Sequence, residues 1–172
     1  MNKPFNADGK PLEIERKYLI EYPDTDWLKS IPDVKVVRIT QYYFDTDTEK
    51  KLRVRIWEEN GTVRYIFTKK TKVTDMTRIE EERDISEEEY RNMLLTARSN
   101  KKRISKTRYR FPYAGKTVEV DIFPFWNSRA VAEIELESED EAAELPPEIK
   151  VIADVSGDSS YTNYNLAESA DW

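Results

Sequence analysis

The chain contains no cysteine and no histidine. The first absence excludes disulfides, thiolate zinc sites and thiol nucleophiles. The second removes imidazole general bases, histidine-based triads, HExxH metalloprotease sites and haem ligation together. Only four glycines occur, none in a GxGxxG or GxxxxGK(S/T) arrangement, so dinucleotide and P-loop phosphate cradles are excluded as well. No run approaches the roughly 20 apolar residues of a membrane span. The opening MNKPFNADGK has no apolar targeting core, and the chain is read as a soluble, cytoplasmic protein without membrane association. A basic excess is also missing: 28 Lys and Arg stand against 34 Asp and Glu, a formal charge of −6. That argues against a long nucleic-acid footprint, which needs cations to displace counterions from phosphates.

What is present is charge in order. Charged residues make up 36% of the 172 and aromatics 12%, with the apolar residues in regular patterns, so a folded single domain is expected rather than disorder. Alternation predicts strands at roughly Leu12–Glu21, Val34–Phe44, Lys51–Glu58, Thr62–Lys70, Met76–Ile85, Lys102–Phe111, Lys116–Phe123 and Arg129–Glu137. Asn60-Gly61 and Ala114-Gly115 mark hairpin turns. Ser86 followed by Glu89 is a capping box ahead of Tyr90, Met93, Leu94 and Ala97, spaced for one buried helix face. Ser138 to Glu141 repeats the box, predicting a short acidic helix that Pro146-Pro147 stops. Short helical pieces are expected at Asp24–Ser30 and Tyr161–Ala167. The fold class that follows is α+β, mainly antiparallel β: an eight-stranded closed barrel with a few peripheral helices. Residues 12–172 form the domain, and residues 1–11 are expected as a flexible leader.

Alternate residues of a strand share a face. Glu13, Glu15 and Lys17 oppose Ile14, Tyr18 and Ile20; Arg53 and Arg55 oppose Leu52, Val54 and Ile56. Glu119 and Asp121 oppose Val118, Val120 and Ile122; Glu133 and Glu135 oppose Ala132, Ile134 and Leu136. Arg78, Glu80 and Glu82 share one face, as do Lys106 and Arg108, and Lys70 lies on the charged face of its strand. A solvated outer face explains any one of these strands. The collection points instead to a hydrated, charge-lined tunnel with the apolar faces outward. Charges of one sign would be prohibitive there, so both signs and a charged ligand are required. All-oxygen donors select hard cations such as Mg²⁺, Mn²⁺ or Ca²⁺. Guanidinium and ammonium groups suit an anion rich in phosphate oxygens.

Glu13-Ile14-Glu15-Arg16-Lys17 is an ExExK on a first strand. In order after it come Leu52-Arg53-Val54-Arg55, Thr68-Lys69-Lys70, Arg78-Ile79-Glu80-Glu81-Glu82, Lys106-Thr107-Arg108-Tyr109, Val118-Glu119-Val120-Asp121 and Ala132-Glu133-Ile134-Glu135-Leu136. Over roughly residues 12–167 this resembles the CYTH superfamily, the triphosphate tunnel metalloenzymes. The resemblance implies a divalent-metal-dependent hydrolase, with Mg²⁺ or Mn²⁺, acting on inorganic triphosphate or a small organic triphosphate. It places Glu13, Glu15, Glu133 and Glu135 at metal positions, with Lys17 and Glu135 as the catalytic pair. Substrate-binding positions are Arg53, Arg55, Lys70, Arg78, Lys106 and Arg108, with Glu80, Glu82, Glu119 and Asp121 completing the lining. Parity with Thr68 selects Lys70 over Lys69 as the inward lysine. One departure stands out: Ser160 occupies a place before Tyr161 where the family often has a basic residue. The weighed alternatives are an adenylyl cyclase of the same fold and a non-catalytic binder of polyphosphate or of 5′-triphosphorylated RNA ends. The expected partner is a triphosphate-containing small molecule, with homodimerisation left open.

Overall fold

The computed structural model describes residues 3–44, 50–96 and 102–169. Eight strands account for most of it: β1 (Leu12–Glu21), β2 (Lys35–Phe44), β3 (Lys50–Glu59), β4 (Thr62–Lys72), β5 (Thr77–Ile85), β6 (Lys102–Tyr113), β7 (Lys116–Ile122) and β8 (Arg129–Leu136). Every pairing is antiparallel, in the order β6-β2-β3-β4-β5-β1-β8-β7, and β7 pairs back to β6 to close the barrel. The two hairpin turns have the expected geometry. Asn60 and Gly61 sit at φ 49° and 77°, Ala114 and Gly115 at 48° and 75°, the double positive φ that matches strand twist.

The barrel seam is short at β1. Only Leu12–Ile14 pair with β5, at Ile79–Thr77. Farther along the same edge β1 takes up β9 (Val151–Asp154), which the sequence pattern did not predict. All four β9 residues are exposed, so no apolar alternation marked it. A two-residue β10 (Glu168–Ser169) adds to β6.

The apolar faces do point outward and are covered there. Helix α1 (Thr25–Ser30) is capped by Asp24, whose carboxylate accepts from the Asp26 and Trp27 amides. Its Leu28 and Trp27 join the outer residues of β1, β6, β7 and β8, among them Ile14, Ile20, Phe111, Val118, Ile134 and Leu136. Helix α2 (Glu87–Thr96) begins at the capping box, with the Glu89 amide donating to Ser86 Oγ at 3.0 Å. It lays Tyr90, Met93 and Leu94 on Tyr42, Val54, Tyr65 and Phe67; Ala97 lies outside the described residues. Among the described residues no helix is long and apolar enough to cross a membrane.

The helix expected after Ser138 does not form. Its amides make a turn, with the Glu141 N–H donating to the Ser138 carbonyl at 3.2 Å, while the Glu141 carboxylate accepts from the Glu137 amide. The box is chemically satisfied without a helix. Ala143 and Leu145 instead pack on the outer core. Near the C-terminus a 3₁₀ turn (Ser159–Tyr161) leads into α3 (Asn163–Leu166), close to the expected helical piece.

The interior departs from a uniformly charged tunnel. Inward positions at one end of four strands are Tyr43, Ile104, Phe123 and Val131, which cluster with Trp126, Tyr164, Leu166 and Ala167. Strand β2 adds no inward charge at all: Val37, Ile39 and Gln41 are fully buried there. The parity rule assigns a face but is silent on which inward positions are apolar at the strand ends. The space is a charged pocket closed at one end by an apolar plug.

Candidate active site

The interior holds a cavity of about 720 Å³. Eleven Lys and Arg side chains and nine Asp and Glu side chains line it, in a chain whose overall charge is −6. The negative excess therefore lies elsewhere on the molecule, and the field within the cavity favours an anion. Strand alternation aims these groups inward. β1 supplies Glu13, Glu15 and Lys17, β3 Arg53 and Arg55, β4 Lys70, β5 Glu80 and Glu82, β6 Lys106 and Arg108, β7 Glu119, and β8 Glu133 and Glu135. Asp121 of β7 is buried just behind this lining, at 1% exposure. Arg78 lines the rim, its guanidinium donating to the Thr74 and Thr77 carbonyls. Lys69 pairs with Glu81 on the exposed side, as its parity required. The candidate metal and substrate residues thus come together around one cavity, with Asp121 behind its lining.

Two ion-pair networks divide the wall. On the β6-β7-β8 side, Arg108 makes a bidentate contact to Asp121, with Nε and Nη2 each at 2.7 Å, and also meets Glu119 and Glu133. Lys106 donates to Asp121 as well. Lys17 lies 3.0 Å from Glu133 and 3.6 Å from Glu15. On the other side Glu80 faces Lys3 at 2.8 Å, Lys70 at 3.0 Å and Arg53 at 3.5 Å; Lys70 also meets Glu13, and Arg55 meets Glu82. The Arg53 and Arg55 Nε atoms are buried with no hydrogen-bond acceptor among the described residues. Unsatisfied buried donors of this kind are costly and point to a ligand that completes them.

Electrostatics follow from crowding. Burial, together with Glu133 and Glu13, pushes the Glu15 carboxyl up to about 8 against the pull of Lys17 and Lys70. Burial would raise Glu133 too, but Lys17 and Arg108 overcome it and hold that carboxylate well below its ordinary value. Burial and the neighbouring Arg108 bring Lys106 down to about 8 despite Asp121. Burial and Arg53 likewise lower Arg55 to about 10.

The same groups bear on whether a metal fits. Among the described residues no group of three or more acidic side chains is arranged to hold an ion. Each candidate ligand is engaged by a cation instead: Glu13 by Lys70, Glu15 and Glu133 by Lys17, Glu135 by Arg110 at 3.6 Å. The donor chemistry nonetheless fits a hard divalent ion, since every donor is a carboxylate oxygen. Burial and then the neighbouring Glu133 and Glu13 raise Glu15 despite Lys17, a repulsion that a bound cation would relieve.

Several lining residues lie beyond those singled out in the sequence. Arg110 continues the alternation of Lys106 and Arg108, and Lys51 that of Arg53 and Arg55, so period two could have found both. Lys72 continues that of Lys70, past the expected strand end. Trp57, on the same face, offers the cavity a flat aromatic wall. Nothing marked Lys3. Ser160 does not line the cavity; its neighbours Ser159 and Tyr164 do, and Lys51 and Lys102 stand 3.8 and 4.4 Å from the centre of the Tyr164 ring.

Comparisons with known proteins agree with this geometry. An inorganic triphosphatase of Acetivibrio thermocellus is 36% identical over 158 residues, 91% of this chain and 94% of that one. The crystal structure of the inorganic triphosphatase NE1496 superimposes with a TM-score of 0.54 at 28% identity, covering 92% of this chain and 95% of that one. HpAC1 from Hippeastrum, a protein with a dominant triphosphatase activity, shares the fold at a TM-score of 0.51 and 16% identity, over 73% of this chain and 80% of that one. Residues 11–160 match the CYTH domain, and with an inward-facing charged lining carried on all but one of eight closed strands, the chain belongs to the CYTH domain family.

Proposed function

We propose that this protein is a divalent-metal-dependent triphosphatase, cleaving inorganic triphosphate or a small organic triphosphate and releasing phosphate. The observation that carries this reading is the cavity's basic excess inside an acidic protein, with buried guanidinium donors lacking acceptors. The resemblance at 36% identity to an inorganic triphosphatase supports the substrate class.

Glu13, Glu15, Glu133 and Glu135 would hold Mg²⁺ or Mn²⁺. The ion would neutralise phosphate oxygens and lower the pKa of a bound water. The chain's own residues do the rest. Arg53, Arg55, Lys70 and Arg108 surround the anion, and their donors stabilise charge that spreads over the phosphoryl oxygens. Arg78 adds a cation at the rim. Lys106, brought down to about 8, keeps most of its charge at neutral pH. Lys17, fixed between Glu133 and Glu15, shields those carboxylates from each other and from the substrate. Glu80, Glu82, Glu119 and Asp121 hold the cations in place. With no histidine in the chain, the attacking water would be activated by a carboxylate or by the metal itself. Of the carboxylates, Glu135 is assigned this role: its side chain is 30% exposed, against 7% for Glu133, and Arg110 lies 3.6 Å from it.

A phosphate-release panel tests this: inorganic triphosphate, ATP, thiamine triphosphate and pyrophosphate, each with MgCl₂, MnCl₂ or EDTA. Turnover of a triphosphate with either metal, lost in EDTA, is expected. Full turnover in chelator would refute the metal assignment. Cyclic AMP and pyrophosphate as the main products from ATP would make the protein a cyclase.

A further inference from the structure

The N-terminal arm carries an ammonium group into the cavity from outside the stretch that matches the family, which begins at residue 11. The arm folds on itself before β1. Asn6 Oδ1 accepts from the Asp8 and Lys10 amides at 3.0 and 2.8 Å, and the Leu12 amide donates to the Pro4 carbonyl at 2.8 Å. It is also fixed to β5, where the Glu80 amide donates to the Pro11 carbonyl at 3.1 Å. These contacts deliver Lys3 Nζ to Glu80 Oε1 at 2.8 Å.

Glu80 is 5% exposed and already faces Lys70 and Arg53. Lys3, Lys70 and Arg53 oppose Glu80 and Glu13, three cations against two carboxylates. Without Lys3 this part of the wall is neutral. Lys3 is also the cation with water access, its side chain 47% exposed against 23% for Lys70 and 7% for Arg53. It can turn from Glu80 to an entering anion with the least desolvation.

We infer that Lys3 is a substrate-affinity residue: its ammonium turns from Glu80 to bind phosphate oxygens at the rim of the cavity. The inference rests on the triphosphatase reading above. A purely structural role, pinning the arm, is the competing explanation, and kinetics separate the two.

The test compares the full chain with its Lys3→Ala, Lys3→Gln and Lys3→Arg variants. Turnover of inorganic triphosphate with MgCl₂ and calorimetric titration of the same anion are run side by side. In Lys3→Ala and Lys3→Gln, KM and Kd should rise about three- to tenfold, the range for one partly exposed charged contact. The kcat should stay within about twofold, because the contact exists before and during the reaction. Lys3→Arg should restore both constants. Unchanged KM and Kd, or a fall in kcat and melting temperature that Lys3→Arg does not restore, would overturn the assignment. If the unmodified protein binds triphosphate without cleaving it, the triphosphatase reading fails by itself and the Kd comparison still decides Lys3.

Discussion

Replacing Glu15 by Gln should remove a fall in stability between mild acid and mild base. In the metal-free protein the Glu15 carboxyl is raised from 4.5 to about 8, by burial first and then by Glu133 and Glu13. In the unfolded chain it ionises near its ordinary value. Between those two pH values the folded state retains a proton that the unfolded state has released, so stability falls as pH rises and the loss is complete above about 8. At 1.36 kcal/mol per pKa unit the ceiling is about 5 kcal/mol. Partial exposure and repulsion shared with two neighbours reduce it, and about 2–3 kcal/mol is the working figure. For a domain of this size that is a fall in Tm of about 4–12 °C. No histidine titrates in the same window, and Lys106, brought down to about 8, contributes an opposite slope only above about that pH. Melting curves followed by circular dichroism in EDTA at pH 5.5, 6.5, 7.5 and 8.5 make the measurement. The unmodified protein should lose Tm across the series, whereas Glu15→Gln should hold it level and melt higher at pH 8.5. MgCl₂ should flatten the unmodified protein's curve, because a bound cation replaces the proton. A level curve for the unmodified protein in EDTA, or an unaltered slope in Glu15→Gln, would show that Glu13, Glu15 and Glu133 are not crowded as described.

Neighbouring positions on β3 should behave oppositely. Arg53→Ala is expected to lose triphosphate turnover at least tenfold with a Tm change of a few degrees, while Val54→Asp, a charge in the fully buried outer layer, should abolish folding by circular dichroism; a stable Val54→Asp would reverse the inward and outward assignment. Arg108→Met removes the cation that Asp121, Glu119 and Glu133 share, leaving three buried carboxylates with one partner fewer each, and should cost about 3 kcal/mol by urea denaturation; a loss below about 1 kcal/mol would deny Arg108 a structural role. Ala114 holds φ 48° without a glycine's freedom, so Ala114→Gly should raise stability by up to about 1 kcal/mol in the same assay, and a destabilised variant would contradict that strain. Metal with triphosphate near 100 times its Kd should add about 2.7 kcal/mol to the native state, read as a rise in Tm that Glu133→Gln with Glu135→Gln largely removes.

The positions of the eight strands along the chain, the two hairpin turns and the faces of the charged residues were legible in the sequence because each follows from local rules. A period of two fixes a face, and parity alone separates Lys70 from Lys69. Double positive φ needs a turn residue such as Asn60-Gly61, and a capping box signals a helix start at Ser86. The same local rule misled at Ser138, where the carboxylate of Glu141 meets the Glu137 amide in a turn and Ala143 and Leu145 pack on the outer core. Strand β9 carried no signal, since it is exposed throughout and exists only because β1 has an edge that β5 leaves unpaired. Barrel closure decided the remainder. It fixed which inward residues share a cavity, joined Lys3 to Glu80 across 77 residues, and set an apolar plug at one end. It also raised the Glu15 carboxyl, first by burying it and then by bringing up Glu133, which lies more than a hundred residues away along the chain. Alternation is a property of the backbone and can be read from sequence; convergence of charges from separate strands is a property of the closed surface and cannot.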